Sequence, residues 1–427
     1  MKNIRFHLCL LALLGPSFAA DVVIRNVNIV DVQSGTILPH RSILIHGGVI
    51  RSIAANAASV RGAQIVDGHN RYVIPGLWDM HVHLWHDERQ FPLYLAWGVT
   101  GVRDMGSDLD QVRKWRAEIR KSTLLAPHIE TCGPPIDGAP SKDPKEPVLV
   151  VRSPAEARNA YNELEEQYHV DFISLRSGLS RDAYFALIER ARMWGLPVAG
   201  DVPEGVTFDE AVGERQSSIE HLSGAAHALD GDSENAAALL DRMAKFGSYQ
   251  VPALIKLRRM TYADADEVIR DPHLKEIPAA IRKSWTDPRL DEAKFSLEAL
   301  DQLDLGYQRS AEIVARMQRC NVPIMAGTDT GDPYTFPGLD LHRELRLLVK
   351  AGLTPLQALR SATLTPAQFL ELDDTLGTVA TGKTADLVLL DADPLQDIGN
   401  TEKIAAVVIA GRYFTKAKLD AAVGQSR

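Results

Sequence analysis

Between residues 73 and 374 short apolar runs alternate with stretches of helical period. There are eight such runs: "LWDMHVHL" (77–84), "GVTGVRDMG" (98–106), "HIETCG" (128–133), "DFISLRSG" (171–178), "PVAGDVP" (197–203), "SSIEHLSG" (217–224), "YQVPALI" (249–255) and "VPIMAGTDTG" (322–331). Each is short and bounded by Gly, Pro, Asp or Ser, which reads as a buried strand rather than a helix. Stretches of 3.6-residue period separate them, including 107–124, 154–168, 180–195 and 234–246. Alternating strand and helix predicts parallel βαβ units and an α/β fold. Eight units predict a closed (β/α)8 TIM barrel, with an open doubly wound sheet as the alternative. The barrel is preferred because several runs end in His83, Asp104, Asp201, His221 and Asp329. In a barrel such strand ends converge on one face.

The flanks have a different pattern. Residues 21–72 and 375–415 hold alternating runs such as "DVVIRNVNIVD", "SILIHGGVIRSI" and "DLVLLDADP", with Gly47-Gly48 and Asp67-Gly68 as turn dipeptides. Period-2 alternation around such turns predicts antiparallel sheet. The expected organisation is a composite β-sandwich from 20–72 plus 375–427, around a barrel at 73–374. Two long connections, 134–150 and 256–320, are expected to flank the mouth: the first as loop, the second with extra helices.

The N-terminus adds a compartment. "MKNIRFHLCLLALLGPSFAA" carries Lys2 and Arg5, an apolar stretch from Phe6 to Leu14, a Gly15-Pro16 break and small residues. This predicts a signal peptide over 1–19, hence an exported chain, periplasmic or secreted. The apolar stretch is too short to span a bilayer, and no later segment is long and apolar enough to do so. After processing only Cys132 and Cys320 remain, too few for a disulfide framework, and whether they pair is left open. Net charge is −9 with no lysine- or arginine-dense block, which argues against a nucleic-acid partner. Oligomeric state is left open.

Chemistry enters at "VIPGLWDMHVHLW" (73–85). Residues i and i+2 of a strand point the same way, so His81 and His83 can meet one metal ion. His86 is out of phase and reads as a loop residue. Together with "SIEHL" (218–222), "AGTDTG" (326–331) and the closing "GTVATGKTADLVLLDADPL", this resembles the amidohydrolase superfamily, in the branch of imidazolonepropionase-like enzymes, Xaa-Pro dipeptidases and ochratoxin amidases. The resemblance covers nearly the whole mature chain. It implies a metal-dependent hydrolytic barrel, with ligands at His81, His83, His221 and Asp329. Two positions depart from the family pattern. Ser174 stands where a carbamylated lysine would bridge two metals, and Asp201 stands where the fifth strand usually carries histidine. Arg176 takes the place of a substrate-facing tyrosine.

Serine cannot supply the anion that screens two adjacent dications. One divalent ion, zinc or another, is therefore expected, with Asp201 as a substitute ligand. The expected reaction is cleavage of an amide or dipeptide-like C–N bond of a small molecule by activated water. Asp329 would be the general base, with the metal or His221 polarising the carbonyl. Arg176 would bind a substrate carboxylate or else pair with Asp201. Tyr249 and Gln250, opening the seventh strand, are expected to line the pocket. Two rivals stand beside this reading: a catalytically degenerate barrel that binds a small ligand, and a two-metal centre bridged by water or carboxylate.

Overall fold

The structure is a computed structural model. It describes residues 21–426 except 56–59, 85–86, 142–145, 230–233, 262–269, 286–296 and 332–333. The expected signal peptide, His86 and parts of both long connections lie outside the described residues.

Seven of the eight predicted runs are strands: Leu77–Val82, Val99–Asp104, His128–Thr131, Ile173–Leu175, Val198–Gly200, Ser218–Glu220 and Tyr249–Val251. The eighth run forms no strand. It makes isolated parallel bridges from Ile324 to Gln250 and from Thr330 to Val82. Leu77–Val82, Val99–Asp104 and His128–Thr131 pair in parallel, as do Ile173–Leu175 with Val198–Gly200 and Ser218–Glu220 with Tyr249–Val251. Single backbone bonds link these sheets, from Asp171 N–H to Thr131 O (3.0 Å) and from Ser217 N–H to Val198 O (2.8 Å).

The helices form where the sequence supplies caps. Asp108 caps Leu109–Arg120 by accepting from Gln111 N–H, and Ser153 caps Pro154–Asn162 by accepting from Glu156 N–H. A side-chain acceptor there satisfies an N–H that the helix itself leaves unpaired. Arg181–Trp194 stops at Gly195, whose φ of 85° suits a residue without Cβ. Glu234–Phe246 completes the predicted set. The 134–150 connection is not all loop. Ile136–Asp137 pairs with Leu149–Val150, and Ile136 with Leu175.

Both ends of the chain build one seven-stranded sheet. Its order is Arg412–Thr415, Ile404–Ile409, Leu387–Leu390, Gln64–Pro75, Val22–Val30, Ile37–His46, Val49–Ala54. Period-2 alternation divides its side chains between two cores. Leu387 and Leu389 pack with Ile24, Ile43 and Val408, while Val388 and Leu390 join the main core of the α/β body. The far edge returns toward the start of Leu387–Leu390, where Ile50 N–H donates to Lys383 O (2.9 Å) and Ala385 N–H to Gly48 O (2.8 Å). Gln64–Pro75 crosses the expected boundary at residue 72. The last segment is helix, Lys416–Gln425, and its Leu419 and Val423 pack into the body's core. Among the described residues no helix is long and apolar enough to cross a membrane.

Candidate metal centre

The strand ends deliver their side chains to one cavity of about 290 Å³, lined by His81, His83, Ser174, Arg176, Asp201, Glu220, His221, Lys256 and Asp329 among others. The size suits a small molecule. His81 is the second-last residue of its strand and His83 follows the strand's end, and the two rings meet edge-on at 5.4 Å between centroids, on the same side as the i, i+2 spacing predicts. Asp329 is brought alongside by the bond from its N–H to His81 O (2.8 Å). That approach depends on Gly327. A Cβ there would lie 2.9 Å from His81 N and 2.6 Å from a Val251 methyl. His221 (φ 55°), Leu222 (φ 53°) and Asp329 (φ 56°) all adopt left-handed backbone, uncommon for residues with a Cβ and recurrent at functional sites.

Asp329 is the hub. Its Oδ1 lies 3.2 Å from His83 Nε2 and 3.4 Å from His81 Nε2; its Oδ2 accepts from His221 Nε2 (2.9 Å) and from the Lys256 ammonium. Burial alone would raise its carboxyl. The charges of His81 and Lys256, with the His221 hydrogen bond, instead hold it well below the ordinary range. His221 bridges two carboxylates, with Nδ1 3.1 Å from Asp201 Oδ1. Burial would lower its pKa, but bonds to Asp201 and Asp329 push it up to about 10. His83 moves the same way: burial opposes its charge, and Asp329 raises its pKa overall.

His81 is oriented from behind. Its Nδ1 meets Glu220 Oε2 at 2.9 Å, which turns Nε2 toward Asp329. Glu220 also accepts from Arg103 Nη2 (2.7 Å) and Ser218 Oγ. Arg103, fully buried, bonds Met80 O (2.6 Å) and lies over the rings of Phe172 and Phe369. Burial would raise the Glu220 carboxyl, but Arg103 and His81 pull it down to about 2. An imidazole held through one nitrogen by a carboxylate is how proteins aim the other nitrogen at a metal. One ligand atom each from His81, His221 and Asp329 lies within 4.8 Å of the others. The buried carboxylate, the three imidazoles aimed at it and the carboxylate behind His81 fit a divalent ion.

The sequence-expected residues divide. His81, His83, His221 and Asp329 converge. Asp201 reaches the hub only through His221, because its short side chain ends on Nδ1. Ser174 is buried in the cavity wall. Arg176 does not pair with Asp201. It holds Glu146 of the 134–150 connection with two bonds, one of 3.1 Å. Asp104 sits behind, accepting from Ser107, Thr131 and Leu84 N–H. Tyr249 is the clearest correction. It opens its strand, at the end away from His221, and packs on Phe369 (5.2 Å) beside a different depression of about 400 Å³. Gln250 is buried within the wall and bonded to Ser248. Cys132 and Cys320 are free thiols. Three participants were not singled out from sequence: Glu220, Arg103 and Lys256. Inward alternation of Ser218 and Glu220 on a short buried strand was the available signal for the first.

A family model described as the amidohydrolase family matches residues 72–413. Adenine deaminase 3 of Rhizobium meliloti is 22% identical over 407 residues, covering 87% of this chain and 54% of the relative. The chain thus spans about half the length of that relative. A Xaa-Pro dipeptidase crystallised with methionine in its active site superposes with a TM-score of 0.71, at 20% identity, over 93% of this chain and all of that one. Ochratoxinase of A. niger gives 0.70 at 17% identity, over 93% and 96%. Likeness of this extent makes the α/β body a TIM barrel.

Proposed function

This chain belongs to the amidohydrolase family, and on that premise we propose that it hydrolyses a C–N bond, amide or dipeptide-like, in a small molecule at a one-metal centre. The observation that carries the proposal is the convergence of His81, His83 and His221 on buried Asp329, with Glu220 behind His81. His81 Nε2, His83 Nε2 and Asp329 would hold the ion. A divalent ion there would supply Lewis acidity and lower the pKa of a water to about 7.

The chain's residues account for the rest. Asp329 is ionised at neutral pH because Lys256 and His221 stabilise its charge, so it can accept the proton of the attacking water. It then returns that proton to the leaving nitrogen. His221 carries a proton at neutral pH, and its Nε2–H, bonded to Asp329 here, would turn to the developing oxyanion once Asp329 takes the water's proton. Asp201 orients it through Nδ1. Arg176, at the wall, takes a substrate carboxylate in place of Glu146. A closed barrel is supported by the bridges at Val82–Thr330 and Gln250–Ile324. A sandwich-like composite domain, with boundaries near those expected, is supported by the folded-back edge at Ile50–Lys383. Export is supported by the N-terminal pattern, and N-terminal sequencing of secreted material tests it.

A second reading, ligand binding without turnover, is favoured by one observation. Asp329 already has its charge matched by the Lys256 ammonium and His221. The test is a panel of dipeptides and N-acyl amino acids assayed with stripped and zinc-loaded enzyme. Zinc-dependent turnover that Asp329→Asn abolishes supports hydrolysis. Binding of panel members without turnover supports the second reading.

A further inference from the structure

Lys256 lies on the helix Leu254–Thr261, just after the strand Tyr249–Val251. Two buried acids fix that helix. Glu344 accepts from the N–H groups of Leu254 (3.1 Å) and Ile255 (2.7 Å), the orphan donors of its first turn. Asp340 holds Arg259 at 3.0 Å one turn on. Asp340 is itself fixed by Phe336 N–H (2.9 Å) and Arg343 (2.9 Å). A side chain on a mobile element would reach Asp329 only transiently. Lys256 springs from a helix tied at both ends, and its ammonium sits on Asp329 Oδ2 within the cavity.

The charges around Asp329 give that contact a consequence. Glu220 and Arg103 neutralise one another. Of the other charged side chains lining the cavity, Asp329, Asp201 and Asp137 are acidic and Lys256 and His221 basic, Arg176 is matched by Glu146, and uncharged Ser174 completes the wall. With His221 carrying its proton, the three carboxylates exceed the two cations by one, so one divalent ion leaves an excess of one positive charge. A second divalent ion would raise the excess to three. We infer that Lys256 is a tethered cation of the centre, which shares Asp329 with a single divalent ion, sets how tightly that ion is held and excludes a second. This rests on the one-metal reading above. It makes Lys256 a positioning residue that acts through Asp329.

The sign of the effect separates this role from a structural one. A lysine that merely supports the fold would loosen metal binding when removed. A competing cation a few ångströms away would tighten it. The experiment is calorimetric titration of the metal-stripped full-length chain with zinc chloride. The variants are Lys256→Met, Lys256→Gln and Lys256→Arg, with circular dichroism confirming fold. The two neutral variants are expected to bind zinc at least about tenfold more tightly than wild type. Lys256→Arg, which keeps the charge, is expected to stay within about threefold. Zinc bound equally or more weakly by both neutral variants overturns the inference while leaving the one-metal reading intact. Zinc bound by none of the four proteins overturns both.

Discussion

Replacing Glu220 with glutamine keeps the size of the side chain and removes its charge. Glu220 is 1% exposed, and its oxygens accept from Arg103, Ser218 and His81. A carboxyl held at about 2 against an ordinary 4.5 favours its ionised form by about 3 kcal/mol, at 1.36 kcal/mol per pH unit. Removing one partner of a buried ion pair independently costs about 3–5 kcal/mol, because the other charge is left without compensation. Here that charge is the Arg103 guanidinium, fully enclosed. Urea unfolding of the stripped protein at pH 7 should therefore place Glu220→Gln about 3 kcal/mol below wild type. The pH dependence has a fixed sign. A depressed carboxyl contributes stability that is complete above pH 4.5 and lost as pH falls through about 2. The gap between the proteins should narrow by about 1 kcal/mol from pH 6 to 3.5. Zinc affinity should fall by about 10–100-fold, since His81 loses the partner that aims it. A gap below 1 kcal/mol at pH 7, or zinc affinity unchanged, refutes the reasoning.

Asp329→Asn removes the negative charge shared by three imidazoles and an ammonium and turns one acceptor oxygen into a donor, and should abolish zinc retention and reduce any amide turnover by at least about 10³-fold; retained turnover contradicts the assignment. Gly327→Ala drives a Cβ against His81 and Val251 and should cost about 1–3 kcal/mol in unfolding experiments, with weakened zinc binding. Burial pushes Glu344 up to about 8. Its contribution to stability is therefore complete below pH 4.5 and lost as pH rises through 8, so the difference between wild type and Glu344→Gln should shift against wild type between pH 5 and 9, and a difference constant across that range would contradict it.

The strands were legible because short apolar runs between turn residues have few other solutions. His81 and His83 were legible because the strand period puts both on one side. Glu220 was harder to read: an acid beside a catalytic-looking histidine has no local mark of its role, which comes from Arg103, 117 residues away. Lys256 depended on the orientation of a helix set by Glu344 and Asp340, and Arg176 on a loop carboxylate at Glu146. Pairings of this kind follow from packing rather than period. Tyr249 was misplaced for a simpler reason. The run "YQVPALI" gives the strand but not which of its ends faces the cavity, and Tyr249 stands at the start.

The most direct test of the central claim is anomalous diffraction at the zinc edge, from crystals of the full-length chain grown with zinc. The account predicts one peak, at about 2.0–2.2 Å from His81 Nε2, His83 Nε2 and an Asp329 oxygen. Two peaks, or a peak bound elsewhere with the Asp329 cluster empty, would contradict it.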